Sequence, residues 1–211
     1  MTEVERPGPG EELNDSGAET VPRQAASVIV LRGGGDALEV LLVKRNPEQR
    51  FMGGAWVFPG GGFHDGEDAD HAAAAVRELE EEAGIELPED AELVPFSRWI
   101  TPEGELVNIR FDTWFFAARA PDGAEATPDG GECVDARWIT PSGALEAHAR
   151  DELALVFPTI KHLELLSELD TVDATLAAAR ERRIEPVLPK VAMRDGAPRI
   201  ILPGEPGYED A

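Results

Sequence analysis

The stretch from 58 to 85 constrains this chain more than any other part of the sequence, because it combines a glycine-rich loop, an acidic turn and one short helix. Small and apolar residues recur at helical spacing over 72–83 and predict a helix with one narrow packing face, made of Ala72, Val76, Leu79 and Ala83. Glu78, Glu81 and Glu82 fall on another face of that helix. Because residues three and four positions apart are neighbours on a helix, these carboxylates are expected to converge near one point.

The acidic face lies at the end of the predicted helix, since Gly84 is the residue expected to terminate it. The helix macrodipole is negative there, so a cluster of carboxylates is unfavourable without a cation. Oxygen ligands suit Mg²⁺, Mn²⁺ or Ca²⁺, and Mg²⁺ commonly links protein carboxylates to substrate phosphates. The sequence therefore predicts a divalent-cation site, and the alternative is a surface helix with a solvated acidic face.

The string RELEEEAGI at 77–85 resembles the Nudix hydrolases at every fixed position in the second half of their signature. The first half departs from the pattern, because counting back from the arginine places Phe63 and Ala69 where the family has glycine and glutamate. Gly61 and Glu67 keep the expected gap of five residues, but nine residues instead of seven separate Glu67 from the arginine. We interpret this as two extra residues in the loop.

The resemblance implies metal-dependent hydrolysis of a nucleoside diphosphate linked to another group, with Mg²⁺ or Mn²⁺ as the cofactor. It also implies that the signature arginine orients a glutamate through an ion pair and that one glutamate acts as base. The residues assigned on this basis form three groups. They are Arg77, Glu81 and Glu82 for catalysis; Glu78, Glu81, Glu82, Glu67 and Glu132 for metal; and Gly60, Gly61, Lys44, Arg45 and Arg50 for substrate.

The choice of the substrate-binding residues has physical reasons in addition to the resemblance. Glycines at 60–61 allow the backbone to turn sharply and approach a phosphate closely. Lys44, Arg45 and Arg50 follow a predicted strand, in a loop that overlooks the site in a Nudix-like arrangement; the alternative is a solvated basic loop. Glu132 is equally well explained as a plain loop carboxylate. P-loop, dinucleotide-binding and EF-hand patterns do not fit this chain.

Weaker motifs bear on the substrate. The string FMGGAWVFPGG at 51–61, the lengthened signature, and VFPT at 156–159 before a leucine-rich helix resemble the coenzyme A diphosphatase branch related to the peroxisomal enzymes. Hydrolysis of ADP-ribose, nucleotide sugars or nucleoside triphosphates remains an alternative. So does a catalytically silent Nudix fold that binds a nucleotide and regulates a partner.

The charge of the chain narrows its partners. With 42 acidic and 19 basic residues, the formal charge of −23 repels polymeric nucleic acid and anionic membranes, so a small phosphate ester is the expected ligand. Cys133 is the single cysteine, which fits a reducing compartment. The N-terminal segment lacks the apolar core of a signal peptide and no apolar run approaches membrane-spanning length, so we expect a cytoplasmic protein.

The order of elements, together with the resemblance, predicts an α/β/α sandwich around a mixed β-sheet. We expect a disordered acidic tail over 1–22, a hydrolase domain over 23–183, and a C-terminal arm or hairpin with a tail over 184–211 that packs on a partner subunit of a homodimer. The four histidines lack a partner pattern and are expected to be surface or structural. Predicted strands cover 25–31, 38–43, 93–99, 110–118 and 136–139. Predicted helices follow Thr140, run from Pro158 through Leu169 and follow Thr171.

Overall fold

The computed structural model describes residues 21–33, 37–49, 51–103, 109–194 and 197–210. Residues 1–20 of the predicted tail, and Arg50, lie outside these ranges. A single mixed sheet forms the centre of the described protein. Its strands are β1 (Arg23–Arg32), β2 (Glu39–Arg45), β3 (Trp56–Val57), β4 (Gly60–Gly62), β5 (Val94–Ile100), β6 (Phe111–Arg119), β7 (Cys133–Ile139) and β8 (Pro186–Val187).

The strand order places β1 at the middle of the sheet. The order is β3-β2-β1-β6-β5-β8, with β4 also paired to β1 and β7 also paired to β2. β1 and β6 are parallel along the full register from Arg23↔Phe111 to Leu31↔Arg119, and β5 and β8 are also parallel. The remaining pairs in the sheet are antiparallel. The predicted mixed sheet is therefore confirmed.

Helices cover both faces of this sheet. The helix α1 (His71–Ala83) packs on one face, while α2 (Pro141–Ala149), α3 (Phe157–Leu166) and α4 (Val172–Glu181) pack on the other. β1 is buried on both sides because its alternate residues enter different cores: Val28 lies under α1 and Ile29 lies under the other helices. This layering confirms the predicted α/β/α sandwich.

The ends of the helices follow local sequence signals. Thr140 and Thr171 cap α2 and α4, since each hydroxyl oxygen accepts a hydrogen bond from the backbone N–H three residues later, and Pro141 occupies the first turn of α2. The helix opened at Pro158 was expected to reach Leu169, but it ends at Leu166. None of the helices in the described ranges is long and apolar enough to cross a membrane.

The C-terminal segment contains the expected hairpin, formed by β9 (Lys190–Arg194) and β10 (Ala197–Ile201). It also contributes a strand to the main sheet, because β8 pairs with β5 through Arg98↔Pro186 and Trp99↔Val187. Residues after 183 therefore take part in the same sheet as the region predicted to form the hydrolase domain.

One polar pair lies within the core between the sheet and α3. The ring of His162 is buried, and its Nε2 lies 2.6 Å from the Oγ of Ser97. Its Nδ1 has no hydrogen-bond partner among the described residues. Burial lowers the pKa of His162 to about 3, so the imidazole is neutral at physiological pH. Four aromatic rings surround it: Phe58, Phe96, Trp99 and Phe115.

Candidate active site

The acidic helix α1 lies close to the sheet because its packing face is made of small residues. Asp70 caps its first turn by accepting a hydrogen bond from the backbone N–H of Ala73, and Gly84 ends it with a left-handed φ of 64°. The face predicted from spacing included Val76, which is only partly buried. The apolar residues of α1 that are buried are Ala74, Ala75, Leu79 and Ala83.

Two of the acidic side chains are buried beside this face. Glu82 is 2% exposed, and its Oε2 accepts a hydrogen bond of 2.9 Å from the backbone N–H of Gly60. Its Oε1 has no hydrogen-bond partner in the described part of the chain and lies 3.7 Å from an Nη1 of Arg45. Burial raises the pKa of the Glu82 carboxyl to about 7, although the Gly60 N–H and Arg45 oppose the rise. Burial and the neighbouring Glu82 charge also raise the pKa of the Cys133 thiol, so Cys133 is an inert neighbour of this site.

Glu78 is packed directly against the glycine-rich strand β4. A Cβ added to Gly61 would lie 2.5 Å from the carboxyl carbon of Glu78, and one added to Gly60 would lie 2.5 Å from the carbonyl oxygen of Ala26. Both positions therefore need glycine for close approach. Burial is the main cause that raises the pKa of Glu78, and the charges of Glu81 and Glu132 add to it. The carboxyl groups of Glu78 and Glu82 thus both lie against the backbone of β4.

The guanidinium of Arg77 is hydrogen-bonded to three acidic side chains. Its Nη1 donates to Glu78 Oε1 at 2.8 Å and to Glu81 Oε2 at 3.0 Å, and its Nη2 donates to the carbonyl oxygen of Gly62 at 2.9 Å. Asp68 completes the arrangement with two bonds, accepting from Nε at 3.0 Å and from Nη2 at 3.1 Å. Such a bidentate pair fixes the plane of the guanidinium. Arg77 therefore orients Glu78, while Glu81 remains largely exposed at 59%.

The loop before α1 places Asp68 beside Arg77, whereas Glu67, the metal-ligand candidate of this loop, lies apart from it. The carboxylate of Glu67 is 74% exposed and lies 3.3 Å from Nδ1 of His64. The side chain of Asp68 is only 4% exposed, and its hydrogen bonds from Arg77 are the main cause that lowers its pKa. Residues 65–70 contain four acidic residues, so counting alone does not identify the one that faces Arg77.

Because the side chain of Asp68 is buried beside Arg77 and that of Glu67 is exposed, mutations at the two positions should affect stability differently. Changing Asp68 to Asn removes the charge that fixes Arg77, so we expect the free energy of unfolding to fall by about 2 kcal/mol. The matched control is Glu67→Gln in the adjacent, exposed position, which should change stability by less than about 0.5 kcal/mol. Urea denaturation of both variants measures the difference, and equal effects at the two positions would contradict this role of Asp68.

Glu132 lies at the rim of the site on a tightly bonded loop. The Asp129 carboxylate accepts hydrogen bonds from the backbone N–H groups of Gly131, Glu132 and Cys133. The backbone N–H of Asn46 donates to the carbonyl oxygen of Glu132 at 2.7 Å. The backbone at Glu132 is thus held between two loops, and its exposed carboxylate is close enough to affect the pKa of Glu78.

Two of the basic residues predicted to contact substrate, Lys44 and Arg45, lie on opposite sides of β2. Arg45 shares the α1 side of β2 with Val43 and reaches Glu82. Lys44 occupies the alternate position, on the same side as Leu42, which joins the core beneath the other three helices. Arg50 lies outside the described residues. Only Arg45 of this group is therefore placed at the acidic site.

The donor set fits a hard divalent cation. Glu78 and Glu82 supply carboxylate oxygens, and the unpartnered Oε1 of Glu82 is a buried acceptor that a cation would satisfy. Within the described ranges no three His, Cys, Asp or Glu side chains are already gathered as a metal cage. The side chains of Glu81 and Glu67 are 59% and 74% exposed, so neither belongs to this buried pair. The residues that would hold the ion are thus Glu78 and Glu82.

A family model matches this chain over the region that contains the candidate site, and solved structures share its fold. A family model described as the NUDIX domain matches residues 21–159, which include the sheet centre, α1 and the glycine-rich strand. The chain belongs to this family. A Nudix hydrolase from Alicyclobacillus acidocaldarius has a similar structure, with 25% identity, a TM-score of 0.67, and coverage of 76% of this chain and 97% of that chain. These findings support the predicted enzyme class, a Nudix-type hydrolase of phosphoric anhydrides.

More distant Nudix structures share the fold. The NUDIX domain of Shewanella oneidensis NrtR, solved with ADP ribose, is 18% identical with a TM-score of 0.55, and the match covers 73% of this chain and 92% of that chain. An Ap4A hydrolase from C. elegans, solved as a binary complex, is also 18% identical with a TM-score of 0.53, covering 69% and 96%.

A curated relative matches a shorter region. It is an octanoyltransferase from Myxococcus xanthus, 43% identical over 67 residues, or 32% of this chain. The match spans only 17% of the length of that relative.

Proposed function

We propose that this Nudix protein is a Mg²⁺- or Mn²⁺-dependent hydrolase that cleaves the diphosphate of coenzyme A or a short acyl derivative. One observation carries the proposal: two buried carboxylates, Glu78 and Glu82, lie against Gly60 and Gly61 with one carboxylate oxygen unpartnered. Burying such charges costs several kcal/mol unless a positive group offsets them. Arg77 offsets the charge of Glu78, and Arg45 at 3.7 Å offsets part of the charge of Glu82. A divalent cation that also binds substrate phosphates would complete the offset.

The side chains have distinct roles in this proposal. Glu78 and Glu82 hold the cation, which when bound stabilises charge on the phosphate oxygens and lowers the pKa of the attacking water. Arg77 keeps Glu78 in position, and the glycines let the diphosphate approach the backbone. Glu81 and Glu132, at the rim, remain the candidates for further ligands or the base. Water loses a proton to that base as its oxygen attacks one phosphorus, the bridging P–O bond breaks, and the leaving phosphate departs with the electron pair of that bond.

The choice of coenzyme A rests on the sequence. The string at 51–61 and the lengthened loop resemble the coenzyme A branch of the family.

The bulky residues near the glycine-rich loop that could form an apolar wall for such a substrate are Phe51, Met52 and Trp56. Trp56 is 3% exposed and belongs to the core, so it is removed from this role. Phe51 and Met52 are half-buried, and Phe51 lies 5.1 Å from the ring of Phe111. Met52 has a φ of 53°, which is uncommon for a residue with a side chain. We propose that this strained turn presents Phe51 and Met52 to the pantetheine or adenine part of the substrate.

A substrate panel with Mg²⁺ tests the proposal. Chromatography should show that coenzyme A is converted to 3′,5′-ADP and a phosphopantetheine, with kcat/KM about tenfold or more above that for ADP-ribose, a nucleotide sugar or Ap4A. Activity should disappear with EDTA, because the carboxylate pair then lacks its cation. Preferential hydrolysis of one of the other diphosphates would overturn the coenzyme A assignment alone.

A protein that hydrolyses none of these compounds with Mg²⁺ or Mn²⁺, while still binding a nucleotide, would overturn the proposed activity as a whole. It would favour the silent nucleotide-binding alternative instead. Calorimetric titration with ADP-ribose on the same preparation separates this outcome from an inactive, unfolded sample.

A further inference from the structure

Arg45 has a different environment from the one expected of a substrate contact. Its guanidinium is directed toward Glu82, with Nη1 and Oε1 separated by 3.7 Å, and the side chains of the two residues are 18% and 3% exposed. Its Nη2 donates a hydrogen bond to the side chain of Gln49. The positive charge of Arg45 thus lies beside a buried carboxylate on α1.

This pair is close but incompletely bonded. Charge-assisted N–H···O bonds are typically about 2.7–2.9 Å long, so the pair at 3.7 Å attracts without a direct hydrogen bond. Over the described ranges, both the Nε of Arg45 and the Oε1 of Glu82 are buried without a hydrogen-bond partner. The carboxylate oxygen nearest Arg45 is therefore the same oxygen that remains free to bind a cation.

We propose that Arg45 is an internal counter-ion for Glu82 that competes with the divalent cation for this carboxylate. The inference rests on the proposed function, because it assumes that Glu82 is a metal ligand. In the metal-free protein Arg45 offsets part of the cost of the buried Glu82 charge. Cation binding makes that role redundant and frees Arg45 for a substrate phosphate, so the cation is expected to bind before the substrate.

Calorimetric titration with Mg²⁺ alone tests the competition. Arg45→Gln should bind Mg²⁺ about tenfold more tightly than the wild type, because one charge-assisted interaction no longer has to be given up. Arg45→Lys keeps the positive charge and should bind Mg²⁺ with nearly the wild-type affinity. The matched control is Arg137→Gln, which removes the same charge from the strand β7 on the opposite face, where Arg137 stacks on Trp56. The Mg²⁺ affinity of this control variant should differ from that of the wild type by less than about twofold.

A double-mutant cycle without metal tests the pair independently. We expect Arg45→Gln and Glu82→Gln to be coupled by about tenfold in the unfolding equilibrium constant. Unchanged or weaker Mg²⁺ affinity in Arg45→Gln, or additive effects in the cycle, would overturn the competition while leaving the proposed function intact. If Mg²⁺ binds neither the wild type nor Arg45→Gln, the proposed function is overturned and the competition with it.

Discussion

Replacing Glu82 by glutamine is expected to lower turnover by about two orders of magnitude or more. The variant keeps the size of the side chain and an oxygen that can accept the Gly60 N–H, which donates to Glu82 at 2.9 Å. It removes the charge that would bind the cation. The measurement is the initial rate of diphosphate hydrolysis at saturating Mg²⁺, and the matched control is Glu80→Gln on the exposed side of α1.

The stability of the metal-free Glu82→Gln protein should hold or increase. Burial raises the pKa of Glu82 to about 7, so above that pH the folded protein carries a buried charge that the glutamine lacks. A Glu82→Gln protein that loses turnover but keeps its stability would thus show that the Glu82 charge serves the reaction and not the packing of the core. Undiminished turnover in Glu82→Gln and in Glu81→Gln would mean that neither carboxylate takes part in the reaction.

The buried His162 is expected to make the protein sensitive to acid. Its pKa is about 3 in the folded protein and 6.5 in the reference state, so the folded state binds its proton less readily than the unfolded state. The stability from the neutral ring is therefore fully present above pH 6.5 and is lost as the pH falls toward 3. Between pH 7.5 and 4.5 this loss amounts to about 2–3 kcal/mol.

Urea denaturation of wild type and His162→Leu at several pH values measures this effect. The leucine variant should lose less stability on acidification, whatever its absolute stability at pH 7.5. Replacement of the exposed His64 by glutamine is the matched control, because it also removes one histidine. Parallel pH profiles for wild type and His162→Leu would show that the core imidazole does not govern acid unfolding.

The sequence was most informative where local signals agree. Helical periodicity, the terminating Gly84 and the caps at Thr140 and Thr171 predicted the elements that the structure contains. These signals act over a few residues, so they can be read without knowledge of the fold. The acidic residues of α1 were recognised in the same way, through their spacing and the signature they complete.

Tertiary partners could not be predicted in this way. Asp68, instead of Glu67, faces Arg77 from a turn in which the backbone N–H groups of both residues donate to the carbonyl oxygen of His64. The pairing of Arg45 on β2 with Glu82 on α1 depends on how α1 lies across the sheet, which the spacing of neither segment encodes. The short strand β8 has only two residues and owes its place to the edge of β5.

The central claim is that Glu78 and Glu82 together hold the catalytic cation. Anomalous diffraction from crystals grown with Mn²⁺ tests it most directly, since Mn²⁺ scatters anomalously far more strongly than the carbon, nitrogen and oxygen atoms of the protein. The expected result is an anomalous peak within about 2.5 Å of a carboxylate oxygen of each residue. A peak at another group of carboxylates, or no peak near α1 in crystals of active protein, would contradict it.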